Sequence, residues 1–75
     1  MISMLSNKVK TNIKNLKDYV KTAPTESKDK IKQVIDLYTA RKITNYSTAE
    51  NVVLRLVDKR SLKSGKADKM FESII

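Results

Sequence analysis

The chain contains no cysteine, no histidine and no tryptophan. Without cysteine it can form neither a disulfide framework nor a thiolate metal site. Without histidine it lacks the most frequent acid–base side chain near neutral pH and the most frequent nitrogen ligand of metals. Without tryptophan it lacks the largest aromatic ring for stacking. We therefore expect neither a bound metal nor another cofactor.

Glycine and proline occur once each, as Gly65 and Pro24. Since these residues are the strongest helix breakers, long helices are permitted through most of the chain. A single glycine excludes glycine-rich phosphate and dinucleotide loops. No apolar run reaches the roughly 18 residues that cross a bilayer. The apolar start is interrupted at Asn7 and Lys8, short of the roughly 7 to 15 residues of a secretory signal. We expect an intracellular protein, or one carried inside a virion.

The polar residues form no catalytic pattern. The eight acidic residues lie beside lysines along the predicted helices rather than as spaced pairs, and serine and threonine have no histidine to activate them. No lysine lies inside an apolar run that would bury it and lower its pKa. We therefore predict that the chain is not an enzyme and that it functions by binding.

Apolar residues recur at spacings of three and four, and no alternating strand pattern is present. A chain of 75 residues forms one domain with one modest core. The prediction is an all-α fold, a small bundle of three to four short helices at about residues 3–21, 25–41, 48–60 and 66–75, with a turn at 61–65. Each predicted helix has one apolar face. From the first helix to the fourth, these faces are Ile2, Leu5, Val9, Ile13, Leu16 and Val20; Ile31, Val34, Ile35 and Tyr38; Ala49, Val52, Val53, Leu56 and Val57; and Ala67, Met70, Phe71 and Ile74.

Two helix starts carry capping signals. Thr25 is expected to cap the second helix, with Glu26 near the positive end of the helix dipole. The segment Ser47-Thr48-Ala49-Glu50 has the sequence of a capping box, in which the serine hydroxyl and the glutamate carboxylate each bind a free amide. The third helix is therefore predicted to begin directly after Ser47, and to be the most buried, with Leu54 outside its inward face.

The positive charge is the clearest functional signal. Sixteen Lys and Arg residues against eight Asp and Glu give a net charge of +8, which favours a polyanionic partner, nucleic acid first and an anionic membrane second. Four lysines of the first helix fall within about 60° on a helical wheel, beside the apolar face, and Asp18 points elsewhere. They are Lys10, Lys14, Lys17 and Lys21. An anion would relieve their mutual repulsion, while the alternative is a solvated face that only keeps the protein soluble.

The segment from Ile35 to Leu56 resembles a helix-turn-helix, with an apolar helix, a turn and a capped helix. It departs from that motif at Arg41 and Lys42, where glycine is usual, and its turn is one residue longer. The resemblance implies base contacts from the start of the third helix, by Asn51 to adenine and Arg55 to guanine. Tyr46 is the one aromatic residue placed to stack on a base. Two helices joined by a turn also occur in any small bundle, so both interpretations remain.

These features predict a non-enzymatic basic module that binds nucleic acid, DNA first, mainly through phosphate contacts from the first-helix lysines. The alternative is a structural or assembly protein of a virus or mobile element. Membrane binding by the first helix is less favoured, because its apolar stripe is needed for the core. The final isoleucines either dock on the core or mark a fragment whose next segment covers them. Protein partners, including further copies of the chain, would contact Leu54, Leu37, Ile74 and Ile75.

Overall fold

The computed structural model describes residues 7–75, and this part of the chain contains five α-helices and no β-strand. The all-α prediction is confirmed, but the helices number five rather than three to four. The predicted start of the first helix at Ser3, with Ile2 and Leu5 of its apolar face, lies outside the described residues. The helices are α1 (Asn7–Thr22), α2 (Thr25–Thr39), α3 (Tyr46–Val57), α4 (Lys59–Ser64) and α5 (Lys66–Ile74).

The break between α1 and α2 lies where Pro24 predicts it. Pro24 is the N-cap of α2, with φ −58° and ψ 145°, and no side chain caps this helix. The expectation that Thr25 caps α2 is therefore wrong, because Thr25 is already the first helical residue. A proline preceding a helix has the fixed φ that suits its start, but its ring offers no hydrogen-bond acceptor to the free amides.

At the end of α2, Arg41 adopts the backbone conformation that glycine usually has in a helix-turn-helix. Arg41 has a φ of +63°, in the left-handed region. The amides of Arg41 and Lys42 donate to the carbonyls of Tyr38 and Leu37 at 3.1 and 2.9 Å. This is the Schellman arrangement, which usually places glycine at the left-handed residue because a Cβ is strained there. The arginine adopts the same backbone at a cost in strain.

The start of α3 corrects the predicted capping box. The N-cap is Asn45, whose Oδ1 accepts hydrogen bonds from the amides of Ser47 at 2.8 Å and Thr48 at 3.4 Å. Ser47 lies inside the first turn, and Tyr46 begins the helix. Asparagine is at least as good an N-cap as serine, and the extended backbone of Asn45 brings its side chain to the free amides.

The predicted helix at 48–60 and turn at 61–65 are also corrected. Asp58 has an extended backbone, with φ −80° and ψ 115°, and it ends α3. Its carboxylate then caps α4, accepting from the Arg60 amide at 3.1 Å and from the Ser61 hydroxyl at 3.0 Å. Gly65 ends α4 in the left-handed region at φ +82°. The predicted helix therefore ends at Val57, and most of the predicted turn belongs to a separate short helix, α4.

α3 is the central helix, because it packs against each of the other four. Its predicted inward face is confirmed at Ala49, Val52, Val53 and Leu56, which are buried, while Val57 is half-buried against the core. Leu54 falls outside that face and is 43% exposed. α1 also packs against α2, and α4 against α5, and Leu16, Ile31, Ala67 and Phe71 reach inward to the same core. This arrangement leaves the charged flanks of α1 and α2 at the surface.

Candidate nucleic-acid interface

The four predicted lysines form an exposed row along α1. Leu16 is buried against the core, with Ile13 and Val20 packed beside it, so the apolar side of α1 faces inward. Each of the four lysines is exposed. From the first to the last, the row spans eleven helical steps, or about 16 Å. The predicted row is Lys10, Lys14, Lys17 and Lys21.

Three of these lysines line a groove between α1 and α2, which we call the α1–α2 groove. It consists of two adjoining cavities of about 510 and 410 Å³. Isoleucine and valine side chains from both helices give it apolar walls, and lysines from both helices add charge. The groove is lined by Lys10, Ile13, Lys14, Lys17, Val20, Lys32, Ile35, Asp36 and Thr39.

Lys32 is the functional candidate that sequence reasoning missed. It lies on α2, about 60° around the helix from Ile35, and lines the same cavity as Lys17. Its position beside the apolar stripe of α2 was visible in the sequence. The side of that stripe that faces α1 depends on how the two helices pack, which helical periodicity does not specify.

Lys21, the last lysine of the row, differs from the others. It does not line the α1–α2 groove. Its Nζ lies 3.5 Å from Asp18 Oδ1, one turn away, in a largely exposed ion pair. The prediction that Asp18 points away from the row is therefore wrong, since three residues along a helix are near neighbours. An exposed pair of this kind contributes little to stability.

The groove lysines are left without carboxylate partners. Within residues 7–75, none of Lys10, Lys14, Lys17 and Lys32 forms a salt bridge. One acid, Asp36, lines the groove with them. Four ammonium groups against one carboxylate leave this surface strongly positive.

The two residues predicted to contact bases lie on α3, away from this groove. Asn51 and Arg55 are both exposed and line one small cleft of about 330 Å³, together with Leu54, Asp58 and Met70. The cleft shares no lining residue with the α1–α2 groove. The structure therefore brings Asn51 and Arg55 together with each other but not with the lysine row.

Glu50 belongs to a cluster of tyrosines rather than to a capping box. Its Oε2 accepts hydrogen bonds from the hydroxyls of Tyr19 at 3.2 Å and Tyr46 at 3.0 Å. The Asn12 amide donates to the Tyr38 hydroxyl at 3.0 Å, and the rings of Tyr38 and Tyr46 meet edge to face at 5.9 Å. Tyr46 is half-buried in this cluster, where its hydroxyl is already engaged. The cluster joins α1 to α2 and α3.

The surroundings of Tyr46 raise its pKa to about 12. Burial is the largest cause, because it disfavours the phenolate, and the hydrogen bond and negative charge of Glu50 add to it. Burial and Glu50 also raise the pKa of Tyr19. Both tyrosines therefore remain neutral donors to the carboxylate well above neutral pH.

The residues predicted for protein contacts divide into two groups. Leu37 and Ile74 are half-buried and pack against the core. Leu54 and Ile75 are the large apolar residues exposed among residues 7–75, at 43% and 68%. The structure thus docks one of the two final isoleucines on the core and exposes the other.

Among residues 7–75 no group of His, Cys, Asp or Glu side chains is arranged to hold a metal ion. In the same part of the chain, no helix has the length and apolar character that crossing a membrane requires. A scan against protein-family models and searches of curated proteins and of solved structures found no match to this chain.

Proposed function

We propose that the protein binds nucleic acid, with DNA as the preferred partner. In this proposal the phosphate backbone lies against the α1–α2 groove. The observation that supports this proposal is a set of four exposed lysines that line one groove with a single acid and form no salt bridge within residues 7–75. Like charges at helical spacings of three and four repel each other. A row of phosphates relieves that repulsion along the whole groove.

Lysine chemistry indicates what the groove would read. An ammonium group is a compact point charge without the planar fork that lets arginine bind a guanine edge in two places. Contacts between lysine ammonium groups and phosphates hold the DNA backbone in position and carry no sequence information. The proposed function is therefore binding of DNA with weak sequence preference, driven by the release of counterions from the phosphates.

The test is a titration with duplex DNA at two salt concentrations. The double charge reversal Lys14→Glu with Lys17→Glu should weaken binding to every sequence. It should also flatten the plot of log K against log salt by about one unit for each phosphate that is no longer neutralised. The matched control, Lys66→Glu with Lys69→Glu, makes the same charge change on α5, where both residues are exposed. Equal weakening in both variants would show that net charge alone drives binding.

Base readout by α3 is a finer version of this function. It is favoured by one observation, the shared exposure of Asn51 and Arg55 along a single cleft. The connection from α2 to α3 runs over Ala40–Asn45, whereas helix-turn-helix turns have about three or four residues. The readout is tested by Asn51→Ala, which should change sequence preference at one base and leave the salt dependence intact.

The assembly function is the second proposal, and it is favoured by the exposure of Leu54 and Ile75. In that case the protein would associate with protein neighbours of a virus or mobile element through these side chains. Sedimentation of wild type and Leu54→Ser distinguishes the two proposals. A concentration-dependent oligomer that Leu54→Ser dissociates, with no DNA binding at low salt, would replace the nucleic-acid proposal.

A further inference from the structure

A second groove lies at the start of α2, on the side of that helix turned away from the α1–α2 groove. Lys30 lines this groove and Lys32 lines the other, and the two are about 200° apart around α2. Residues from α2, α4 and α5 enclose a space of about 400 Å³. The two grooves have no lining residue in common, so each can be altered without the other.

A buried hydroxyl without a partner lies in the lining of this second groove. Ser27 is 0% exposed, and its Oγ is the buried side-chain polar atom of residues 7–75 that has no hydrogen-bond partner. A buried hydroxyl without a partner lowers the stability of a protein, and alanine would fill the same space without that loss. Buried polar side-chain atoms without a partner are rare in proteins, so this hydroxyl needs a physical reason.

The N-terminus of α2, which no side chain caps, lies beside the same groove. This helix has 15 residues. The Ser27 amide donates to the Pro24 carbonyl at 2.9 Å, while the amides of Thr25 and Glu26 precede the first intrahelical acceptors. Free amides and the positive end of the helix dipole together favour an anion at this position.

The charges around the groove leave two lysines available. Asp68 is already paired with Lys30, with Nζ and Oδ1 2.6 Å apart. Lys59 and Lys63 are four residues apart on α4, hence on one face, and both are exposed without a salt bridge in the described part of the chain. Glu26 is the acid that opposes an anion here.

We propose that this groove binds a phosphoryl group. The amides of Thr25 and Glu26 donate to its oxygens, Lys59 and Lys63 neutralise its charge, and Ser27 donates its hydroxyl after rotation about the Cα–Cβ bond. The phosphoryl group comes from inorganic phosphate or a small phosphate ester, or from a nucleic-acid backbone. None of these residues lines the α1–α2 groove, so the two sites can be tested independently.

The first test is a titration with inorganic phosphate at constant ionic strength, followed by the amide resonances of Thr25 and Glu26. We expect saturable shifts in the wild type, and binding about tenfold weaker in Lys59→Gln with Lys63→Gln. The control Lys66→Gln with Lys69→Gln removes the same charge outside the groove and should bind as the wild type does. Absence of saturation, or equal weakening in both variants, would overturn the proposal.

The second test uses Ser27→Ala and separates a ligand site from a packing position. Without phosphate, this variant should unfold at a higher temperature than the wild type, because an unsatisfied buried hydroxyl is removed. With phosphate, it should bind more weakly and gain less thermal stability. If Ser27→Ala binds phosphate as tightly as the wild type, the hydroxyl has only a structural role and the proposal fails.

The third test identifies the source of the phosphoryl group. If Ser27→Ala also lowers the affinity for duplex DNA, the groove takes a backbone phosphate; if DNA affinity is unchanged while phosphate binding is weakened, it takes a free phosphate or a small ester. Both results support the site. The variant Lys14→Glu with Lys17→Glu should bind inorganic phosphate normally, so failure of the DNA-binding proposal would be seen separately from failure of this one.

Discussion

The polar side chains on the two flanks of α1 differ in whether they have partners inside the protein. On one flank, Asn12 and Tyr19 form hydrogen bonds to Tyr38 and Glu50 on the neighbouring helices. On the other, about 170° away around the helix, lysines line a groove and form no salt bridge within residues 7–75. A polar group with an internal partner fixes the packing of its helix, whereas a charge without one remains available to another molecule. This contrast suggests which flank holds the fold and which binds.

The largest loss of stability is expected from a substitution in the hydrophobic core, against which α1 packs. Leu56 is 0% exposed at the centre of the core, so Leu56→Ala should lower the free energy of unfolding by about 2 to 5 kcal/mol, enough to unfold so small a domain. Leu54→Ala, two residues away on the exposed side, should cost less than about 0.5 kcal/mol. Urea denaturation measures both. A larger loss for Leu54→Ala would show that the helical phase of α3 is wrong.

The next effect is confined to the hydrogen-bonded flank. Glu50→Ala removes the acceptor of two tyrosine hydroxyls and should lower the free energy of unfolding by about 1 to 3 kcal/mol. The exposed acid Glu72 provides the control, and Glu72→Ala should change stability little. DNA affinity of folded Glu50→Ala should match the wild type. Unchanged stability would mean that the tyrosine cluster does not hold α1 in place.

A smaller effect tests which residue caps α3. Asn45→Ala should destabilise the protein by about 1 kcal/mol, because two amides lose their acceptor. Ser47→Ala should stay within about 0.5 kcal/mol. The two variants are compared by the denaturation midpoint. The reverse order would restore the capping box that the sequence suggested.

How far the sequence predicts this fold is visible in the same segment. Apolar spacing identifies the inward face of α3, because burial of a helix stripe follows the helical period. It does not identify the cap, since Asn45 and Ser47 are both competent and the choice depends on the backbone between α2 and α3. The division at Asp58 was missed for a related reason. Aspartate is tolerated within a helix, and only its extended backbone shows that it ends α3 and begins α4.

The candidate site was predicted in part for similar reasons. The α1 lysines share one flank by spacing alone, so the sequence is sufficient to group them. Lys32 and Asp36 join them through the packing of α2 against α1, a long-range contact that spacing along one helix does not contain. The burial of the Ser27 hydroxyl could not be predicted either, because the sequence does not show whether an isolated serine in a helix is buried.

A pH dependence gives a further test of the hydrogen-bonded flank. Because the pKa of Tyr46 is raised to about 12 in the folded state, its contribution to stability is complete below the ordinary tyrosine pKa of about 10. Above that pH the unfolded chain loses the proton more readily than the folded one, so stability should fall as the pH rises from about 10 to about 12. Tyr46→Phe should show a shallower fall in denaturation midpoint across this range. Identical slopes would contradict the role of burial and Glu50.

The proposed DNA-binding surface is a groove between two helices, rather than the lysine row of α1 alone. The most direct measurement compares Lys32→Glu with Lys21→Glu in duplex titrations at two salt concentrations. Lys32 lines the groove from α2, whereas Lys21 belongs to the row but lies outside the groove beside Asp18. We predict that Lys32→Glu weakens binding and flattens the salt dependence by about one unit, with little change in Lys21→Glu. Weakening by Lys21→Glu with none by Lys32→Glu would contradict the proposal.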